Sequence, residues 1–589
     1  MALDEVRAGM TGVGVTVFEG ETREEFSVHV LGVLANVMGP RRNLIIARLK
    51  GGPLADSGVI QGMSGSPVYI DDRLVGAVSY SLGSFSREAI AGITPIEEMA
   101  ATDAEANRVA RRRVPPPLFS ASRDGLARVA QQLFGHRLAF AERPIDVRTA
   151  GLPIAEAGRL GTLLRPIATP LALGGFLPEI QNLWSAAFDS AGFMTTVGSA
   201  AATRAVQGSD GVPLQPGDAV GASLMRGDLS IAGTGTVTLV EDGRVYAFGH
   251  PFYNLGPAKF AMTRAHVTTV LPSLAISSRI AAIGDVLGTI DQDRSTGIFG
   301  SLGAGPAMIP VTVTLEAGDD RTLSQRFEFE VVDDRLFTPL LTYTGILNAF
   351  VSWTRQVGAS TYRVGATARV RGQADVMFHD VYAGDTAYIA AASGIMAPLT
   401  TLVGNMFEPV AFDGIDIAIT SYEESRTARL DRVWIDAVRP RAGDTVALKV
   451  ASRNSLGAES IQTVRMTLPS HVTGPVQLLV SDATQLERRE ATEGRHPRAA
   501  RTLPQLIRAL NNARRHDRLY VKLLVARPGA VVRGEALPAL PASVLAVLED
   551  DRASGDYIRL QYATIGEWEI PTDHVVTGTR VLSFTVEAG

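Results

Sequence analysis

The stretch Gly58–Tyr80, GVIQGMSGSPVYIDDRLVGAVSY, decides the fold. Glycine and serine crowd the turn ahead of Pro67. The residues after it are strand formers, with Val68, Tyr69 and Ile70 leading to a turn at Asp71–Asp72 and a second apolar run. The segment therefore predicts a serine-bearing turn followed by a β-hairpin. Ser64 is either a nucleophile presented by that turn or a polar residue that the turn merely tolerates.

Two architectures place glycines around a nucleophilic serine. In the α/β-hydrolase elbow the serine joins a strand to a helix. Proline followed by β-branched and aromatic residues does not open a helix, which argues against that fold. In the double β-barrel of chymotrypsin-like peptidases the serine loop reads G-D-S-G-G-P. Here GMSGSP, residues 62–67, keeps glycine, serine, glycine and proline at matching places. Gly62 allows the backbone to turn its own N–H and that of Ser64 toward one point, where they would form an oxyanion hole. Gly65 leaves room beside the hydroxyl, and Pro67 ends the loop where a strand begins. Met63 replaces the aspartate, so activation by pairing that acid with a new N-terminus is not available.

A serine nucleophile needs a base. Of nine histidines, His250 stands out because AFGHPF places it at the end of a strong strand, held between glycine and proline. A turn histidine satisfied by a backbone carbonyl is the plainer alternative. The segment AGTGTVTLVEDGRVYAFGHPF, a hairpin turning at Glu241–Gly243, resembles the histidine segment of the SpoIVB-type serine peptidases. GVIQGMSGSPVYIDDRLVGAVSY is similar to that family's serine segment, and IGDVLGTIDQDRSTGIFGSLG at 283–303 resembles the stretch that follows its histidine. The resemblance implies a trypsin-like serine endopeptidase of bacterial envelopes or spores, acting outside the cytoplasm on protein or peptide substrates.

Two departures accompany the resemblance. In the sporulation peptidase the histidine segment precedes the serine segment, whereas here Ser64 precedes His250. One triad geometry recurs with several chain orders, so a permuted arrangement is admissible. The family's aspartate lies a short way before its serine, where this chain has Lys50, with Asp56 the nearest acid. In the double-barrel architecture the acid instead follows the histidine within its own barrel. That favours Asp293, with Asp285 and Asp291 as neighbours; an ion pair or turn cap with Arg294 is its bland alternative.

Composition bounds the rest. The chain has 589 residues, too many for one core. Its 46% hydrophobic and 20% charged residues are those of a folded protein, and a net charge of −5 gives no reason to expect a nucleic-acid partner. Without cysteine, thiolate catalysis and cysteine-ligated zinc are excluded. No metal cluster or phosphate-binding glycine loop suggests a cofactor. No apolar run approaches the length of a membrane span, and the start lacks the pattern of a signal peptide.

The expected fold is mainly β: a chymotrypsin-like double β-barrel assembled from two segments in permuted order, plus β-sandwich-like C-terminal material with a few helices. Residues 1–113 would supply the serine barrel and 216–335 the histidine barrel, with a mixed segment at 114–215 between them. An accessory β-rich segment spans 336–424, and a sandwich with an inserted helix spans 425–589. Thr94 and Pro95 read as the cap and first turn of a helix, VPPP at 114–117 as a linker, and DGLARVAQQLFG at 124–135 as helical. The rival function is a catalytically inactive, peptidase-like scaffold whose C-terminal region binds an envelope partner.

Overall fold

The computed structural model describes residues 1–82, 88–106, 164–188, 193–197, 213–273, 276–318, 323–353, 358–493, 500–532, 535–549 and 557–589. The expected linker at 114–117 and helix at 124–135 lie outside the described residues. Two compact units emerge, the first comprising Met1–Val311 with Phe327–Asn348 and the second Thr312–Arg326 with Ala349–Gly589.

In the first unit, β1 (Thr11–Val17), β2 (Arg23–Leu34), β3 (Leu44–Lys50), β4 (Pro67–Ile70), β5 (Arg73–Leu82) and β6 (Ile90–Pro95) form a ring. Pairing runs β1–β2–β3–β6–β5–β4 and back to β1, so no edge is left over that part of the sheet. The hairpin after the serine turn is tight because Asp71 and Asp72 both take positive φ, 48° and 56°, the twist that a two-residue connection needs. Alternate side chains of these strands, among them Val28, Val30, Ile45, Val68 and Val78, fill the barrel interior.

β7 (Leu164–Pro166) and β8 (Thr169–Gly174) follow, with β9 (Phe193–Val197) parallel to β8. The second ring consists of β10 (Ala219–Gly227), β11 (Ser230–Glu241), β12 (Arg244–Ala247), β13 (Gly256–Leu271), β14 (Ser278–Arg294) and β15 (Gly297–Leu302). It closes in the order β10–β13–β14–β15–β12–β11 and back to β10. Two six-stranded barrels from two chain segments are the fold expected from the sequence. Val17 of the first packs with Ala219, Ala265 and Val267 of the second.

The helix after β6 starts one step later than expected. Thr94 and Pro95 are the last residues of β6, and the helix runs Ile96–Ala106. Thr94 donates to the Gly249 carbonyl at 2.8 Å instead of capping the helix, so a tertiary bond outcompetes the local one. The same helix clasps the second barrel through Asp103, which takes a 2.9 Å bond from Nε of Arg244, itself 2.7 Å from Asp291.

In the second unit, Ser360–Val370 pairs with both Val376–Gly384 and Phe412–Tyr422, as the β reading of this region required. The reading missed the helix Ala387–Val403 between them. That run is alanine-rich and apolar on every side, so it has helix propensity without the period that reveals a helix. Farther on, two four-stranded sheets share one core containing Leu430, Val446, Leu448, Leu478, Val521 and Leu523. This is the expected sandwich. Its helix Leu503–Asn511 is capped by Thr502, whose hydroxyl accepts the Gln505 N–H. Among the described residues no helix is long and apolar enough to cross a membrane.

Within this unit Asp380 accepts from both the backbone N–H (2.7 Å) and Nδ1 (2.6 Å) of His516, whose Nε2 lies 3.1 Å from the Thr484 hydroxyl. The Asp380 contact raises the imidazole above its usual range against the opposing effect of burial. A raised pKa in the folded state means the folded form binds the proton more tightly. The pair's contribution is thus complete below the unfolded histidine value and is lost as pH rises through the folded one. Urea denaturation should accordingly find His516→Gln more destabilising at pH 6 than at pH 9; equal losses at both would contradict a charged pair.

Candidate active site

The serine turn is held by bonds that leave particular groups unused. Met63 N–H donates to Ile60 (3.2 Å), Gly65 N–H to Val78 (2.7 Å) and Ser66 N–H to Met63 (3.0 Å). The alternate donors, Gly62 N–H and Ser64 N–H, have no hydrogen-bonded acceptor among the described residues. Their directions are fixed from behind, because the carbonyl of each trans peptide opposes its N–H. The Gln61 carbonyl accepts the Arg279 N–H at 3.1 Å, and the Met63 carbonyl accepts both Ser66 N–H and, at 2.5 Å, the Ser66 hydroxyl. Ser64 Oγ is buried and likewise has no partner among the described residues.

β11 of the other barrel receives this turn. Thr236 N–H donates to the Ser64 carbonyl at 2.8 Å, and the Thr238 hydroxyl to the Gly65 carbonyl at 2.8 Å. The carbonyl of the same Thr236 accepts Phe248 N–H at 3.3 Å, two residues before His250. One residue thus joins the serine turn to the histidine turn. Contact is closest at Gly65, where a Cβ would fall 2.0 Å from Thr236 O and 2.6 Å from Phe248 N.

The histidine turn carries strain. Phe248 has φ 70°, a region that bulky side chains avoid, directly before Gly249 and His250. Nδ1 of His250 lies 2.9 Å from the Pro251 carbonyl. A carbonyl only accepts, so Nδ1 carries a hydrogen there, and in the neutral ring the lone pair is on Nε2. Asp293, fully buried, accepts N–H bonds from Phe252 (2.8 Å), Tyr253 (2.6 Å) and Leu255 (3.3 Å). Its carboxylate organises the loop that follows His250. Of the other acids weighed, Asp291 pairs with Arg244, Asp285 is exposed on β14, and Asp56 is exposed in a short helical turn, as is Lys50 at the end of β3.

Sequence reasoning passed over Arg279, at the start of β14. Its guanidinium is fully buried and donates to the Gly62 carbonyl (2.9 Å), to the Thr236 hydroxyl (3.1 Å) and to the hydroxyl of Thr16, which lies 2.9 Å from the Ser66 hydroxyl. No acidic side chain among the described residues pairs with it, and burial pushes the guanidinium down to about 9. An arginine leading directly into the apolar run Ile280–Ile283 was the available signal.

An uncompensated buried cation opposes folding, so its retention behind Gly62 points to a function. Arg279→Met should keep or raise the thermal midpoint while slowing covalent modification of Ser64 by about tenfold or more. Calorimetry and labelling rates with a fluorophosphonate check both halves. A loss of stability with unchanged labelling would make Arg279 purely structural.

Residues 2–96 match the family model described as SpoIVB peptidase S55. The match bears out the resemblance over the serine-bearing barrel and ends before β7 and the histidine barrel. No curated protein and no solved structure matches the chain.

Proposed function

We propose that this SpoIVB-like protein is a serine endopeptidase in which Ser64 is the nucleophile and His250 the base. The observation that carries the proposal is Thr236, bonded through one peptide group to the serine turn and through the next to the histidine turn. Ser64 Oγ bonds to a peptide carbonyl carbon as its proton passes to His250 Nε2. The N–H groups of Gly62 and Ser64 receive the oxyanion. His250 then gives the proton to the leaving amine as the C–N bond breaks. Water, losing a proton to the same imidazole, attacks the acyl-enzyme carbon; the bond to Ser64 Oγ then breaks, Oγ takes back the proton from His250, and the acid leaves. Asp293, which anchors the loop after His250, is the acid that orients the imidazole, and the Pro251 carbonyl takes a place at Nδ1. No step calls for a metal or organic cofactor.

A second reading, an inactive peptidase-like scaffold, is favoured by one observation: Ser64 and His250 are both 0% exposed. Prolonged incubation with excess alkyl fluorophosphonate separates the two. The peptidase reading expects an adduct on Ser64 that is missing from Ser64→Ala; no adduct in the folded protein supports the scaffold. Family resemblance also underlies our proposals of a site of action outside the cytoplasm and of an envelope partner for the C-terminal unit. Cell fractionation tests the first, and crosslinking with the C-terminal unit deleted tests the second.

A further inference from the structure

β4 covers one side of β5 only as far as Pro67↔Ala77. There it gives way to the serine turn, which is bonded to Val78 through Gly65 N–H and the Ser66 carbonyl. From Ser79 onward that side of β5 is free to take another strand, and a strand laid along it runs straight at Ser64. Residues of the same chain take the place. β7 pairs antiparallel with β5 in the register Leu82↔Leu164, Ser81↔Arg165, Tyr80↔Pro166, and Ile167 N–H donates to the Ser79 carbonyl at 3.0 Å.

The next residues stay close to the turn. Ile167 is fully buried in the cluster that holds Ile60, Met63 and Val78, the first two of which stand two residues before and one residue after Gly62. Pro170 Cγ lies 3.2 Å from where a Cβ of Gly62 would be. Then β8 joins β11 of the second barrel, from Leu171↔Gly233 to Gly174↔Ser230. The segment thus adds a strand to one barrel, passes the serine turn, and adds a strand to the other.

Extended peptides bind exposed sheet edges in this way, with main-chain bonds supplying affinity and a pocket for a side chain supplying selectivity. We propose that residues 164–170 occupy the substrate groove of the peptidase, with Ile167 filling the pocket beside Ser64, and so hold the enzyme latent. The inference rests on the peptidase reading. It assigns the groove to Ser79–Leu82 and the substrate class to extended peptides with an aliphatic residue next to the scissile bond. The tether makes the occupant hard to displace, because its local concentration far exceeds that of a free peptide.

The test compares rates of Ser64 modification in wild type, Ile167→Asp and Ile167→Pro, each checked for folding by circular dichroism. Aspartate puts a charge into an apolar pocket, and proline removes the N–H given to Ser79. Labelling by alkyl fluorophosphonate should rise at least tenfold in both. A Leu-Arg-Pro-Val phosphonate should modify the variants faster than one ending in an aspartate analogue. Should either variant fail to fold, hydrogen exchange on wild type serves instead: modification by the Leu-Arg-Pro-Val probe should deprotect the Ile167 amide. Equal labelling of wild type and folded variants, or an Ile167 amide unchanged by the probe, overturns the latent groove and leaves the peptidase reading standing. Spontaneous cleavage of wild type after Ile167 also overturns it, since the segment would then be a substrate. Absence of Ser64 modification in every folded protein removes the peptidase reading itself.

Discussion

Ser64→Ala should yield a folded protein that forms no fluorophosphonate adduct and is at least as stable as wild type. The two outcomes have one cause. Ser64 Oγ is buried without a hydrogen-bond partner among the described residues, and such a hydroxyl costs free energy that alanine does not. Its loss removes the only atom that the proposal allows to attack. His250→Gln is the companion change. Glutamine keeps a polar side chain but cannot take a proton at neutral pH, so modification of Ser64 should slow by about 10,000-fold or more. Intact-mass spectrometry with peptide mapping gives the adduct, and calorimetry gives the stability. A marked loss of stability in Ser64→Ala would mean that the hydroxyl serves packing rather than chemistry.

Gly65→Ala should be the most destabilising single substitution in the serine turn. Gly65 has φ 97°, and an added Cβ would meet backbone atoms of Thr236 and Phe248, which cannot swing aside as a side-chain tip would. The turn would have to separate from β11, breaking the Thr236–Ser64 bond that joins the two halves. The expected cost exceeds about 4 kcal/mol, with loss of Ser64 modification. Gly9→Ala provides the control, since Gly9 has φ 89° but open space where the Cβ would go. It should lose only about 1 kcal/mol, the cost of the backbone conformation alone. Urea denaturation of the two variants separates contact from conformation; equal losses would argue against a tight barrel–barrel seam at Gly65.

Much of the fold was legible because it rests on local rules. The Asp71–Asp72 and Glu241–Gly243 turns could be read from turn chemistry, and the hairpin after Pro67 excluded the elbow. Several of the barrel strands, β10 and β11 above all, are buried along most of their length, as the apolar runs of their sequences suggest. What escaped depends on distant partners. Thr94 has the look of a helix cap, yet its hydroxyl is committed to Gly249 in the other barrel. β7 and β8 are short, interrupted by proline, and strands only because β5 and β11 offer them edges. Arg279 cannot be told from a surface arginine until β14 turns it inward behind Gly62.

The candidate site divides in the same way. Ser64, with the N–H groups of Gly62 and Ser64, could be named from the turn motif, and His250 from its place at a strand end. Asp293 follows from its place after His250 in the same barrel, whereas its bonds to the backbone of residues 252–255 arise only in the folded loop. The Pro251 carbonyl at Nδ1 belongs to the alternative weighed for a bland turn histidine. In the proposed mechanism the same contact fixes the tautomer that a general base requires.

Site-resolved mass spectrometry of the Ile167→Asp protein after fluorophosphonate treatment decides whether Ser64 is a nucleophile covered by residues 164–170. A single adduct on Ser64 is expected, formed faster than in wild type and absent when Ser64→Ala or His250→Gln is added. A folded protein with no adduct, or one labelled equally well without Ser64, would contradict it.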